Sequence, residues 1–284
     1  MKNSVAFYHS NILPRVLRIK TIMKYILILL ITLLFLPTYA QVKSVPFNGN
    51  TLTTDQLGYY YEISNNKINK YSTDGKLEYS YSNNMLGIIT NVDVSNPQKI
   101  VVYFKEFTKI LILDNTLSPS SEVIDLTTLE LNETTLVGRS YNDGTWYYDP
   151  IRFELIRKNQ ELITTNTSGN LANLLDENMQ PNFLIEYNNR IYLNDKKLGI
   201  LVFDIYGAYL KTIPLYDLAS FQVKDKFIIY SNPSGEIETY DFFTLQKTKY
   251  QPEKYNSTSS VRVENNLIYI VDKKNQLFID KIEY

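Results

Sequence analysis

The part of the chain that decides the fold reads RIYLNDKKLGILVFDIYGAYLKTI over residues 190–213. It holds three short runs of alternating aromatic and aliphatic side chains, and the pair Tyr206-Gly207 separates the last two. Runs of this composition are typical of strands in a twisted antiparallel sheet, and a glycine between them marks a tight turn. The stretch therefore predicts three consecutive antiparallel strands.

The same pattern recurs along the chain at nearly regular intervals. Aligned on the second strand of each unit, equivalent apolar residues are spaced by 42, 43, 47, 37 and 39 positions; they are Tyr71, Leu113, Ile156, Phe203, Tyr240 and Ile279. Six units of this length predict an all-β fold, a six-bladed β-propeller with four strands in each blade. An irregular β-sandwich with accidental periodicity is the alternative, and it predicts no fixed period.

The two ends of the chain complement each other in this scheme. The last unit has only three strands, within residues 260–283, whereas the strand-like residues 42–47 have no partner ahead of them. We predict that this N-terminal strand supplies the fourth strand of the last blade and closes the ring. Proline cannot donate to a sheet ladder, so Pro46 and Pro214 are expected in outermost strands.

The N-terminal region has the pattern of an export signal. Residues 26–36 form an apolar run of eleven that only Thr32 interrupts, with Lys20 and Lys24 before it and Thr38-Tyr39-Ala40 after it. This is the pattern of a secretory signal peptide, and a membrane span would need about 20 apolar residues. We predict a signal peptide over residues 1–40 and a single propeller domain over residues 41–284. An uncleaved anchor is the alternative.

The start of translation is a separate hypothesis. Signal peptides rarely begin as far upstream of their apolar run as Met1 lies here, and Met23 would be a normal start. Export predicts a periplasmic, cell-surface or secreted protein with no membrane span after cleavage.

Two residue types that are missing or nearly missing from the chain exclude several kinds of catalytic and metal site. The chain has no cysteine, and its single histidine, His9, lies in the predicted signal peptide. Thiol and imidazole catalysis and the zinc sites built on those ligands are therefore excluded, and we predict no catalytic residues, metal or cofactor. Residues 1–40 hold five of the 29 basic residues and none of the 30 acidic ones, so the remainder carries a net charge of −6. An acidic chain without a basic cluster argues against nucleic acid as a partner.

A family resemblance is visible in the fourth unit. Ile191-Tyr192-Leu193-Asn194-Asp195, Leu201-Val202-Phe203-Asp204 and the run from Gly207 to Ile213 resemble one repeat of the NHL-like and TolB-like six-bladed propellers. The Tyr-, Asn-, Ile- and Lys-rich chain after Tyr39-Ala40-Gln41 also resembles exported proteins of the Bacteroidetes. The resemblance implies an architecture. Such families bind proteins, glycans or small molecules and only some are enzymes, so it carries no activity.

Candidate binding residues cluster near the ends of blades three and four. We single out Tyr148, Asp149 and Arg152 in the third unit, Lys196 in the fourth, and Leu174 in the insertion over residues 168–182 that joins them. Leu171, Leu174 and Leu175 have helical spacing, which predicts one or two helical turns before Pro181. Asp149, Asp195 and Asp272 end equivalent strands, and the simpler interpretation makes them turn residues that accept backbone hydrogen bonds.

The many aromatic residues have two interpretations. Side chains on predicted strands are expected to fill the spaces between blades or to form a platform for a sugar or peptide; they are Tyr59, Tyr60, Tyr61, Tyr79, Tyr81, Trp146, Tyr147 and Tyr148.

Two functions follow as hypotheses. The first is a non-enzymatic binding scaffold of the cell envelope, a monomer whose partner is an envelope protein or glycan. The second is a carboxylate-dependent glycan hydrolase or lyase, which as a glycosidase needs two carboxylates about 5–9.5 Å apart in one pocket.

Overall fold

The computed structural model describes residue 24 and residues 43–175, 179–250, 255 and 257–282. Residues 1–23 and 25–42 lie outside the described residues, and with them almost all of the predicted signal peptide and the hypothetical start at Met23. The chain divides into two compact units, Met1–Gln41 and Val42–Tyr284, and every strand below belongs to the second. Within the described part, no helix has the length and apolar character needed to cross a membrane.

The second unit is a six-bladed β-propeller, as predicted. Each blade is a four-stranded antiparallel sheet; in blades 1 to 5 the chain runs from the innermost strand outward, and in blade 6 the N-terminal strand is the outermost. Blade 1 contains β2 (Thr51–Thr54), β3 (Tyr60–Ile63), β4 (Lys67–Tyr71) and β5 (Leu77–Ser82). Blade 2 contains β6 (Asn91–Asp93), β7 (Ile100–Phe104), β8 (Lys109–Leu113) and β9 (Ile124–Asp125). Blade 3 contains β10 (Leu136–Arg139), β11 (Thr145–Asp149), β12 (Glu154–Lys158) and β13 (Thr164–Thr167).

The remaining three blades follow the same order. Blade 4 contains β14 (Pro181–Tyr187), β15 (Arg190–Asp195), β16 (Gly199–Asp204) and β17 (Tyr209–Ile213). Blade 5 contains β18 (Gln222–Lys224), β19 (Phe227–Ser231), β20 (Ile237–Asp241) and β21 (Gln246–Tyr250). Blade 6 contains β22 (Thr258–Glu264), β23 (Leu267–Asp272), β24 (Gln276–Lys281) and β1 (Lys43–Pro46). Two short 3-10 helices, Lys105–Phe107 and Leu126–Leu129, lie in blade 2 and after it.

The six aligned apolar residues lie on equivalent strands, but these are the third strands of the blades rather than the second. The prediction placed them on second strands because four of the six innermost strands are only three or four residues long and partly polar. Those of blades 2 and 5, for example, are three residues long and read Asn-Val-Asp and Gln-Val-Lys. Such segments lack the alternating apolar pattern by which a strand is recognised in a sequence.

The N-terminal strand closes the ring as predicted. β1 pairs antiparallel with β24, with Lys43 opposite Ile279 and Pro46 opposite Gln276. Pro46 therefore lies in the outermost strand, and Pro214 follows directly after β17, the outermost strand of blade 4. Phe47, just beyond β1, is 5% exposed and packs between blades 6 and 1 with Leu52, Tyr60 and Tyr269 among its cluster. Val42, the first residue of the predicted strand, lies outside the described residues.

Most of the strand aromatics fill the spaces between blades. Tyr60, Tyr61, Tyr81, Trp146, Tyr147 and Tyr148 are all buried in apolar clusters, whereas Tyr59 is half-buried and Tyr79 exposed. Burial raises the pKa of the Tyr147 and Tyr269 phenols to about 12. Burial also raises the pKa of Tyr61, whose hydroxyl donates to Asp55 Oδ2 at 2.7 Å. The packing interpretation is therefore confirmed for these six aromatics.

Candidate functional site

The innermost strands line a central channel with a cavity of about 670 Å³. Each of the six innermost strands contributes an amide, hydroxyl or charged side chain to the wall, including Asn91, Asn182, Gln222, Arg262 and Glu264. A cavity of this size would hold a small organic molecule, and its polar wall gives any ligand a choice of hydrogen-bond partners.

Three amide side chains of this wall form hydrogen bonds across the junctions of blades 2 and 3, 4 and 5, and 5 and 6. Asn182 Nδ2 donates to the carbonyl of Leu218 at 3.1 Å. Both polar atoms of the Gln222 amide bond to Val263: Nε2 donates to the Val263 carbonyl at 2.9 Å, and Oε1 accepts from the Val263 N–H at 2.7 Å. Asn91 Nδ2 likewise donates to the carbonyl of Val137. These three amides hold the ring together and have little capacity left for a ligand.

Charged side chains follow the ends of the innermost strands around one mouth of the channel. They are Asp93, Arg139, Glu186, Lys224 and Glu264, one each from blades 2 to 6. Asp93 accepts from the backbone N–H of Ser95 at 2.9 Å and of Arg139 at 2.8 Å. Glu264 pairs with Lys224, and burial raises the pKa of the Glu264 carboxyl.

Glu186 is the most highly connected of these carboxylates. It accepts from Ser140 Oγ at 2.6 Å, from the Tyr141 N–H at 3.0 Å and from Trp146 Nε1 at 2.8 Å. Ser140 Oγ in turn accepts from Arg157 Nε at 2.8 Å, and the Arg157 guanidinium lies 3.8 Å from the centre of the Tyr141 ring. Glu186 thus fixes the first hairpin of blade 3 to blade 4.

The positions of the channel carboxylates matter for acid–base catalysis and for metal binding, because both need two or more carboxylates close together. The three channel carboxylates Asp93, Glu186 and Glu264 lie on alternate blades, and each is already bonded to protein donors. Within the described ranges, no group of three or more Asp, Glu, His or Cys side chains is arranged to hold a metal ion.

The residues predicted as a site lie on one face of the propeller, away from the channel cavity. This face carries the loops that join second to third strands and each blade to the next, and we call it the connector face. The opposite face carries the loops that join first to second and third to fourth strands, and we call it the hairpin face. Asp149 and Arg152 are 3.5 Å apart on the connector face, with Lys196 and Leu174 exposed in neighbouring loops. Tyr148 is instead buried, its hydroxyl has no hydrogen-bond partner among the residues that the structure describes, and burial raises the pKa of this phenol.

The strand-end aspartates form turns, as the simpler interpretation predicted. Asp149 Oδ1 accepts from the N–H groups of Ile151 and Arg152 at 2.9 and 3.0 Å. Asp195 Oδ1 and Asp272 Oδ1 make the same type of contact with the residues that follow them. In the insertion, Leu175 N donates to the carbonyl of Leu171 at 2.9 Å. The described residues of the insertion thus contain one hydrogen-bonded turn, and residues 176–178 lie outside the described residues.

A groove between blades 4 and 5 at the hairpin face was not predicted from the sequence. Its volume is about 750 Å³, and its wall is aromatic and aliphatic, with Tyr187, Tyr192, Leu210, Phe242 and Phe243 as the main contributors. Phe243 is 78% exposed and Leu210 45% exposed. The two blades are joined here by the Asp225 N–H, which donates to Tyr187 Oη at 2.9 Å.

Two cations, Arg190 and Lys211, also line this groove. Among the described residues, neither has a carboxylate oxygen within 4.0 Å. A concave apolar surface with a few polar groups around it is the usual form of a binding site. The sequence signals, Asn188-Asn189 and Phe242-Phe243, are far apart in the chain, which is why the pattern was not recognised.

The chain matches no protein-family model, and its sequence matches no curated protein. Its fold is similar to several solved structures. Virginiamycin B lyase from Staphylococcus aureus has a TM-score of 0.54 at 12% identity, over 87% of this chain and 83% of the lyase. BamB from Moraxella catarrhalis has a TM-score of 0.51 at 12% identity, over 86% of this chain and 99% of BamB. A chain of the mitotic checkpoint complex has a TM-score of 0.58 at 7% identity, over 85% and 94%. At these identities the similarity shows the propeller fold alone.

Proposed function

We propose that this chain is an exported, Bacteroidetes-like protein whose propeller, of the NHL-like or TolB-like kind, is a non-enzymatic binding scaffold of the cell envelope. The observation that carries the proposal is the groove between blades 4 and 5. Its exposed Phe243 and Leu210 lie beside Arg190 and Lys211, two cations for which the described ranges of the chain contain no ion-pair partner. Exposed apolar surface of this kind marks interaction sites on soluble proteins. The partner is an envelope protein or glycan that places an apolar, partly acidic segment in the groove.

The chemistry of the channel supports binding over hydrolysis. A glycosidase needs two carboxylates that converge on one bond, whereas Asp93, Glu186 and Glu264 are each committed to neighbouring blades. Among the similar structures, a variant of virginiamycin B lyase in which one histidine is replaced by alanine is catalytically inactive. The only histidine of this chain is His9, within the predicted signal peptide.

The groove is tested with two matched substitutions in outermost strands. Leu210→Asp places a carboxylate in the groove, and Leu77→Asp places one on β5 of blade 1, where the leucine is 49% exposed against 45% for Leu210. Both tagged proteins are incubated with envelope extract and crosslinked, and the captured molecules are compared with those of the unsubstituted chain. We expect a component that Leu77→Asp retains and Leu210→Asp loses. Retention by both variants would contradict the groove as the binding site.

The connector face, where the predicted residues Arg152, Lys196 and Leu174 lie, is tested in the same experiment. Ile151→Asp and Ile163→Asp change isoleucines of blade 3 that are 70% and 62% exposed on the connector and hairpin faces respectively. A component lost only by Ile151→Asp would move the site to the connector face. Export is tested separately, because N-terminal sequencing of the secreted or periplasmic protein should begin at Gln41.

A further inference from the structure

Arg262 is the least compensated buried charge of the channel. It lies near the middle of β22, the innermost strand of blade 6, and lines the cavity although only 6% of the residue is exposed. Its Nη1 donates to the carbonyl of Val261 at 2.7 Å, and its Nη2 donates to Ser220 Oγ at 3.3 Å. Within the part of the chain that the structure describes, no carboxylate oxygen lies within 4.0 Å of this guanidinium.

Two other cations, Lys224 and Lys70, have a carboxylate beside them, whereas among the described residues the buried Lys158 donates only to the Thr164 hydroxyl. Lys224 pairs with Glu264, and Lys70 lies 4.0 Å from Asp55 and 4.3 Å from the centre of the Tyr59 ring. Arg157 reaches the Glu186 carboxylate through Ser140. For Arg262, desolvation lowers the pKa to about 10, so the side chain remains a cation at neutral pH. A buried cation without a counter-charge is strongly unfavourable, because burial removes its hydration.

The Arg262 guanidinium also has more N–H donors than the acceptors found for it among the described residues. Arginine carries five N–H groups in a planar fork that matches carboxylate and phosphate oxygens, and two of its nitrogens have protein acceptors here. The hydroxyls of Ser220 and Ser260 line the same cavity and add neutral donors.

We propose that the channel binds a small organic oxyanion, a carboxylate or a phosphate, whose charged group pairs with Arg262 and accepts from Ser220. The cavity of about 670 Å³ accommodates such a molecule. The cavity and the groove between blades 4 and 5 share Tyr187, Asn188 and Asn189, but Arg262 and Ser220 line only the cavity. Substitution at Arg262 therefore tests the anion site without changing the groove.

The test measures thermal unfolding of the mature chain in increasing malonate or phosphate, with chloride at matched ionic strength as the reference. We expect the melting temperature to rise with one or both oxyanions beyond the change seen in chloride. Arg262→Met should abolish this additional rise, whereas Arg190→Met, which removes an exposed arginine of the blade 4 hairpin, should retain it. The larger rise identifies the carboxylate or the phosphate as the preferred group. Equal rises in the Arg262→Met and unsubstituted proteins, or no rise beyond chloride, would overturn the proposal.

A second variant covers the case in which Arg262→Met fails to fold. Arg262→Lys keeps the charge but loses the planar fork. Titration calorimetry with the better anion should give a dissociation constant about tenfold higher or more for Arg262→Lys than for the unsubstituted chain. Equal affinities would show that the fork does not hold the anion and would refute the site. Leu210→Asp should bind the anion unchanged.

Discussion

Ring closure by the N-terminal strand makes the stability of the whole propeller depend on Phe47. The side chain is 5% exposed and shares a cluster with Leu277 and Ile279 of blade 6 and Leu52 and Tyr60 of blade 1. Replacing a buried phenylalanine by alanine costs about 3–5 kcal/mol, and a site beside an edge strand relaxes toward the lower value. At about 2–4 °C per kcal/mol for a domain of this size, Phe47→Ala should lower the melting temperature by about 6–12 °C.

The assay uses the single tryptophan as an internal probe. Trp146 is fully buried in blade 3, far along the ring from the closure, so its fluorescence reports unfolding of the propeller as a unit. Phe243→Ala is the matched control, because that phenylalanine is 78% exposed and its loss should change stability by no more than about 0.5 kcal/mol. Deleting residues 41–48 should lower the melting temperature further, since β24 then loses its partner strand. An unchanged melt for the deletion would refute closure by this strand.

Two further predictions concern buried polar groups. Glu186→Ala leaves the donors of Ser140, Tyr141 and Trp146 without their acceptor and should lower the free energy of unfolding in denaturant by about 3 kcal/mol or more. The control, Glu161→Ala on the surface, should change it little. Equal effects of the two substitutions would contradict the role of Glu186. Alkaline pH should also destabilise the fold, because unfolded tyrosines ionise near pH 10 whereas burial raises the pKa of Tyr147 and Tyr269 to about 12. Stability should be intact below about pH 10 and fall above it, with only part of the tyrosinate absorbance present in the native protein at about pH 11; simultaneous ionisation of all tyrosines near pH 10 would refute this.

The sequence predicted the fold well because the blades repeat their apolar third strands. Leu113, Phe203 and Ile279 lie on such strands, and the equivalent residue is buried in every blade except the first, where Tyr71 is half-buried. The turn aspartates were predictable for a similar reason, since an aspartate at a strand end bonds to its own following backbone. Local chemistry decides both features.

The candidate sites depend instead on contacts between blades. The groove combines Leu210 on β17 with Phe243 after β20, and neither residue has a distinctive local pattern. Arg262 is one of several arginines in the sequence, and only the packed ring shows that it is buried without a carboxylate. For Tyr148 the sequence supported both a binding role and packing between blades, and the 1% exposure of its side chain agrees with the packing interpretation.

The pairing of β1 with β24 also sets an order of events during synthesis. Lys43 emerges from the ribosome early, but its partner Ile279 follows 236 residues later. Because translation adds about 5–20 residues per second, β24 is synthesised about 10–50 s after β1. A chain released before Ile279 leaves strand edges open on both sides of the gap, and open edges recruit other chains. A chain that includes both β1 and β24 has no such gap, so the pairing of these two strands distinguishes closed propellers from chains that stop before blade 6 is finished.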